Sequence, residues 1–217
     1  MCPDSNNRPR STLATRKLTK RGTRRRVQLL EVAYRLFADQ GYHRTTIADV
    51  CDALGVGKGV FYWYFESKEV LFVELLQGSL RDLRRSQQMV IRGLLDPCER
   101  IEHGIRASIE FFRADPGFLA LIRTAARYEE FSSYVQRGQQ VIAADTAVHI
   151  KEGMEAGSIP PGDPALLAHG ILGAIFHFVE VYFGTESEAS FRRPQLAEEA
   201  VAFCMHGILG AHTIEDF

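Results

Sequence analysis

Thr45–Lys68 reads TTIADVCDALGVGKGVFYWYFESK, and the parsing of that stretch decides the fold. Thr46 stands where a hydroxyl can accept the free backbone N–H groups of a helix's opening turn. Ile47, Val50, Cys51 and Leu54 then recur at helical spacing and give the helix one apolar face. Gly55 follows at the point where a helix ends in a left-handed residue, which costs glycine little. Val56 is the apolar pin between two helices. From Gly57 the chain restarts as a second helix through about Phe65. Two short helices around a Gly-containing turn of three or four residues make a helix-turn-helix.

The second helix has two sides. Phe61 and Phe65 lie four apart and share the face expected in the core. Lys58, Gly59, Val60 and Trp63 fall on the opposite side, where they would meet the edges of DNA bases. Lys58 can donate to guanine O6/N7, while Val60 and Trp63 offer apolar contact, for instance to a thymine methyl. Gly59 permits close backbone approach. The phenols of Tyr62 and Tyr64 and the charge of Lys68 suit phosphate oxygens, as do Arg44, Thr45 and Thr46 ahead of the first helix; such contacts fix register without reading sequence. Plain packing aromatics are the alternative for both tyrosines.

Thr46-Ile47, Ala53, Gly55-Val56, Lys58-Gly59, Tyr62, Tyr64-Phe65 and Lys68 together resemble the DNA-binding segment of the tetracycline-repressor (TetR) family of bacterial transcription regulators. The motif covers about residues 23–80; beyond it the resemblance rests on length and helical pattern. It implies an all-α protein with an N-terminal three-helix DNA-binding domain and a C-terminal helical bundle for ligand binding and dimerisation. Two positions depart from the pattern. Gly57 and Val60 stand where the family commonly has Ser or Thr, which removes a cap and two polar contacts and leaves the operator sequence open.

Charge agrees with a two-part chain. Through Lys68 there are 13 Lys+Arg against 6 Asp+Glu, and beyond it 13 against 21, although the net charge of the 217 residues is only -1. A basic first third beside the helix-turn-helix suits a polyanion partner. Residues 1–22, rich in Pro, Asn, Ser and basic side chains, read as a basic arm that takes structure only on a partner. Arg16, Lys17, Lys20, Arg21, Arg24, Arg25 and Arg26 would follow phosphates or enter the minor groove. Residues 23–68 form the DNA-binding domain and 69–217 the effector-binding and dimerisation domain.

Cys2, Cys51, Cys98 and Cys204 are far apart with no Cys-x-x-Cys pair, which suits a reducing cytoplasm. The basic N-terminus has no apolar segment after its charges and so is no secretory signal. Ala165–Phe183 approaches membrane-span length, but His169, His177 and Glu180 interrupt it, so it is expected buried in protein, with no membrane partner.

The remaining helices follow in order. The pattern predicts them over about 69–95, 97–113, 118–127, 131–155, 163–184 and 194–210, broken by Asp115-Pro116-Gly117 and Pro160-Pro161-Gly162. The 163–184 helix is apolar almost all round. Gly170, Gly173 and Ala174 form a smooth patch on it, and Val201, Met205 and Ile208 lie on the broad face of the last helix. The resemblance implies that these pair two chains into a four-helix homodimer interface, with the two recognition helices about one DNA turn, roughly 34 Å, apart. It also implies a pocket between the middle helices for a small apolar or amphipathic effector. Phe111, Phe112, Phe118, Ile122, Phe131, Tyr134, Phe176 and Phe178 are its candidate walls, with His103, Arg123 and His177 as polar partners.

No phosphate-binding Gly loop, nucleophile elbow, paired-carboxylate or zinc signature is present, so no enzyme, cofactor or metal site is expected. The expectation is a ligand-responsive regulator, a repressor released from a palindromic duplex operator when effector binds. The alternative is an all-α adaptor that uses the corner for protein contacts.

Overall fold

A computed structural model describes residues 19–183 and 195–210; there the chain forms nine helices and no strand. Helices α1 (Lys20–Gln40), α2 (Ile47–Ala53) and α3 (Lys58–Tyr64) form the head, and α4 (Lys68–Ile91) leads away from it. The body contains α5 (Pro97–Ala114), α6 (Pro116–Arg127), α7 (Glu129–Glu155), α8 (Pro164–Phe183) and α9 (Leu196–Leu209). Residues 1–18, with Arg16 and Lys17, lie outside the described residues. The first helix starts at Lys20, ahead of the start at about Thr23 that the apolar stripe Val27, Leu30, Ala33, Tyr34 and Phe37 predicts, because Thr19 caps it, its hydroxyl accepting from Gly22 N at 3.2 Å.

Polar residues set most of the helix starts. At α2, Thr46 accepts from Asp49 N at 3.2 Å while Asp49 Oδ2 accepts from Thr46 N at 2.7 Å, a reciprocal capping box. Those bonds from Thr46 hold the Asp49 carboxyl below the usual carboxylate range. Ser67, Asp96 and Asp115 cap α4, α5 and α6, and proline occupies the first helical position of α5 and α6. Helix α3 starts at Gly57 without a side-chain cap, as expected from the glycine. Gly55, at φ +62°, makes the left-handed turn between α2 and α3.

One core runs through head and body. In the head, Leu29, Ala33, Phe37, Val50, Cys51, Phe61 and Phe65 are buried together. Full burial contributes roughly 1.5–3 kcal/mol for each large side chain. Phe72 on α4 carries the core across, 5.6 Å from Phe37 and 4.7 Å from Phe131 (ring centroids). A second junction joins α1 to α6. The Tyr34 hydroxyl donates to Asp115 Oδ1 at 2.5 Å, and Gly117 lies so near the ring that a Cβ would stand 2.9 Å from Tyr34 Cε1. Burial first, then the Asp115 carboxylate, raises the Tyr34 pKa, so the phenol stays a donor. Cys51 and Cys204 are buried apolar fillers, the latter with its thiol pushed up to about 11 by burial.

Helix α8 is covered by its own protomer on one side only. By length and composition it could cross a membrane, with mean hydropathy 1.6, yet only 28% of its apolar window is buried in the protomer. Ala168, Ile171, Leu172, Ile175 and Val179 face the core, while the other side is open.

Candidate nucleic-acid interface

Packing of Phe61 (1% exposed) and Phe65 (2%) against the head orients α3. The rest of the helix is thereby turned outward. Lys58 and Gly59 are exposed, Tyr62 is 55% and Trp63 53% exposed, and Val60 and Tyr64 are half-buried. Trp63 stands edge-on to Tyr64, 4.6 Å between centroids, and Tyr62 packs edge-on against Phe61 at 5.5 Å. Tyr64 also packs on the core, so its ring has a structural task beside any phosphate contact.

The N-terminal turns of α1 run alongside this surface. Thr19, Arg21 and Arg25 with Val56, Gly59, Val60 and Trp63 line a concavity of about 480 Å³. Sequence reasoning put Arg21 in the unstructured arm and Arg25 in the first turn of the first helix; the helical spacing of Arg21, Arg24 and Arg25 was the available signal that all three sit on one ordered element. Arg26 belongs elsewhere. It pairs with Glu74 and lies over the Phe65 ring at 4.9 Å, tying α1 to α4.

Several expected phosphate contacts are turned inward. Thr45 is 0% exposed, and its hydroxyl donates to Gly41 O at 2.9 Å and Leu36 O at 3.2 Å. It locks the α1–α2 loop because a buried hydroxyl must find an acceptor. Lys68 Nζ donates to Tyr42 O and Thr45 O, each at 3.0 Å, and sits 4.1 Å from the Tyr42 ring centre. Burial draws its pKa below the ordinary lysine value. Lys68 therefore fastens the start of α4 to the loop before α2. Thr46 is exposed but committed to its capping box, and Arg44 donates from Nε to Gln40 O at 2.6 Å, closing the end of α1.

The aromatic set expected around an effector divides among four places. Phe111, Phe112, Phe118 and Phe176 form a cluster, Phe112 and Phe118 stacked at 5.1 Å and 11°, with Ile122 buried nearby. Phe131 belongs to the head–body junction, 5.3 Å from Tyr42, and Phe178 meets Phe203 of α9 at 5.5 Å. His103 and His177 are exposed, and Arg123 reaches Glu180 on α8, Nε to Oε1 at 3.5 Å. Tyr134 lines an outer groove between α4 and α7. These aromatics fill the core because flat rings at helical spacing pack against one another.

A different residue set encloses a cavity between α4, α5, α7 and α8, with about 40 Å³ of water-accessible space. Its polar lining is Gln87, Gln88, Arg100, Ser108, Asp145, Thr146 and His149, among isoleucines of α5, α7 and α8. Gln87 donates to Ser108 Oγ at 2.8 Å, and Ser108 to Gly104 O at 2.8 Å. Arg100 bonds His149 Nδ1 at 3.2 Å and pairs with Glu152 at 2.7 Å. Guanidinium only donates, so His149 Nδ1 accepts there and the ring is neutral. Burial first, and Arg100 second, lowers the His149 pKa. Ser108, a hydroxyl 3% exposed on an otherwise apolar face, was the sequence signal for this cavity.

On the far side, the dimer candidates also divide. Gly170 and Gly173 are exposed and Ala174 is half-buried, whereas Val201 (7%), Met205 (4%) and Ile208 (3%) turn into the protomer core. The outward side of α9 instead carries Phe203, 62% exposed, with His206 and Gly207. With Leu166, 69% exposed, and Gly170 they line an apolar groove of about 710 Å³.

Residues 29–75 match the family model described as bacterial regulatory proteins, tetR family, and those residues span α1 through the start of α4, the helix-turn-helix itself. The head is similar to the DNA-binding segment of the TetR family. The chain is 25% identical over 180 residues, 82% of its length and 91% of the relative's, to the uncharacterized HTH-type transcriptional regulator YhgD of Bacillus subtilis. It is 33% identical over 104 residues to the HTH-type transcriptional repressor KstR2 of Rhodococcus jostii, spanning 48% of this chain and 51% of that one. The chain thus aligns with about half the length of that repressor. The solved ketosteroid transcriptional regulator KstR2 of Mycobacterium tuberculosis superposes with a TM-score of 0.64 at 28% identity, over 85% of this chain and 95% of the other. TetR-family regulators bind DNA as dimers and respond to small molecules.

Proposed function

We propose that this chain is a TetR-family regulator, a homodimeric cytoplasmic repressor that leaves a palindromic operator when a small amphipathic effector enters its body. The observation that carries the reading is the outward face of α3. Lys58, Gly59, Tyr62 and Trp63 stand exposed on a helix whose back is pinned by Phe61 and Phe65, with Arg21 and Arg25 beside them. Lys58 donates to a base edge, Trp63 and Val60 supply apolar contact, and the α1 arginines follow the backbone. Two-fold pairing through the open sides of α8 and α9 presents two copies of this face, and that symmetry calls for a palindrome.

The effector half of the reading rests on the cavity bounded by α4, α5, α7 and α8. Its mixed apolar and polar lining is that of a ligand site, and α4 runs from it to the head. At about 40 Å³ it holds roughly one water, so a ligand must part the helices to enter. That parting is the source of differential affinity between two head spacings. Repression is the sign that KstR2, the similar protein named above, carries in its name.

The test is salt-dependent binding of the purified chain to duplex fragments from upstream of its own coding region. Specific binding is expected to fall steeply with salt. Lys58→Ala with Trp63→Ala should cost about 1–3 kcal/mol per lost base contact, at unchanged thermal stability. A chain that binds no duplex at low salt, or a double variant that binds as well as the parent, would overturn the proposal.

A further inference from the structure

The outer groove between α4 and α7 has a composition that the regulator reading does not require. Its floor is Leu80, Val141 and Ile142, its volume about 270 Å³, and its rim carries Arg81, Arg84 and Arg137. Helix α7 has no carboxylate between Glu130 and Asp145, and the Asp82 carboxylate of α4 turns to Arg85 at 3.4 Å. Among the described residues Arg81 and Arg137 are exposed with no ion-pair partner. Arg84 alone is paired, forked on Asp145 at 2.5 and 3.0 Å. Three guanidinium groups therefore face one carboxylate above an apolar floor, and low-dielectric walls focus such a field.

The groove adjoins the inner cavity. Ile142 lines both, Arg84 lines the groove, and Asp145 lines the cavity. The Arg84–Asp145 pair and the Ile142 side chain thus form the wall between them. Gly138 lets α4 approach α7 closely beneath the groove, since a Cβ there would stand 2.8 Å from Leu80 Cδ1.

We infer that this groove is the docking site for an amphipathic organic anion, its carboxylate or phosphate group held by Arg81, Arg84 and Arg137 and its apolar body laid along Leu80, Val141 and Ile142 toward the inner cavity. A guanidinium fork matches either oxyanion in a bidentate way. Asp145 is the internal competitor for Arg84, so the incoming anion exchanges with it and loosens the wall. The inference deepens the effector half of the proposed function and names the chemical class of ligand.

The experiment titrates the full-length chain with laurate, dodecyl phosphate and dodecanol below their aggregation limits, by calorimetry. At least one of the two anions should bind at least tenfold more tightly than the alcohol, the tighter one naming the headgroup. Arg81→Glu with Arg137→Glu should weaken the anion at least tenfold and leave the alcohol, the melting temperature and duplex affinity unchanged. Should that pair lower the melting temperature, Arg81→Gln with Arg137→Gln makes the same comparison. Asp145→Asn should tighten the anion severalfold, whereas a purely structural role for the Arg84–Asp145 pair would weaken it. Equal affinity for the alcohol, no binding of either anion, or an unaffected double variant would overturn the inference. Duplex binding without ligand is read separately: anion binding with no duplex binding sinks the regulator reading alone, and the converse sinks this site alone.

Discussion

Lys68 shows how a residue can be placed correctly in a motif and still do a different task. Its charge next to a recognition helix suggests phosphate, yet its ammonium is spent on two backbone carbonyls and an aromatic face. Nothing in a linear sequence distinguishes an outward lysine from one that closes a loop 23 residues away. Thr45 differs from Thr46 in the same way: adjacent hydroxyls, one sealed and one capping. Lys68→Met should cost roughly 1–3 kcal/mol by leaving the Tyr42 and Thr45 carbonyls without their donor, measured by urea unfolding. Loss of DNA affinity alone, at unchanged stability, would restore the phosphate role. His149 makes a prediction about pH. Its folded pKa lies below the ordinary value of 6.5, so its stabilising contribution is complete above about pH 6.5. As pH falls through and below that value the unfolded chain takes up the proton more readily, and stability declines. The melting temperature of the parent should therefore drop between pH 7 and 5 by more than that of His149→Gln, and parallel curves would refute the account.

At the scale of elements the sequence was most informative where polar residues punctuate it. Thr46, Asp96-Pro97, Asp115-Pro116 and Asp163-Pro164 mark helix starts to within a residue or two, because caps act locally. Pairing between elements was not legible. The contact of α1 with α6 depends on Gly117 presenting bare backbone to the Tyr34 ring, and no periodicity reveals that meeting. Gly117→Ala should push the ring away and cost about 1–3 kcal/mol by overpacking, read as a lower urea midpoint. An unchanged midpoint would mean that the junction yields freely. The aromatics of the body were hard to place for a related reason: rings at helical spacing predict burial but not which neighbours they are buried against.

For the whole molecule, the charge division between the first third and the rest was visible in the sequence. The open apolar side of α8 and α9 was only half legible. The apolar girth of α8 pointed to it, but Val201, Met205 and Ile208 proved to be protomer core, since on a helix apolar on every side no pattern separates inward from outward. Phe203 is the outward residue to change. Phe203→Glu should convert a dimer to monomers by light scattering and abolish palindrome binding, at a near-parental melting temperature of the protomer; a dimer that persists would move the interface elsewhere. The Asp115 carboxylate oxygen that receives the Tyr34 hydroxyl also receives Phe118 N at the first turn of α6. The head is thus braced like a shelf on two brackets, α4 beneath and α6 at the side. A shelf on one bracket can tilt; on two it keeps its pitch, and loosening the second would let each protomer set its reading helix at its own angle, so that the two no longer agree on a single stretch of duplex.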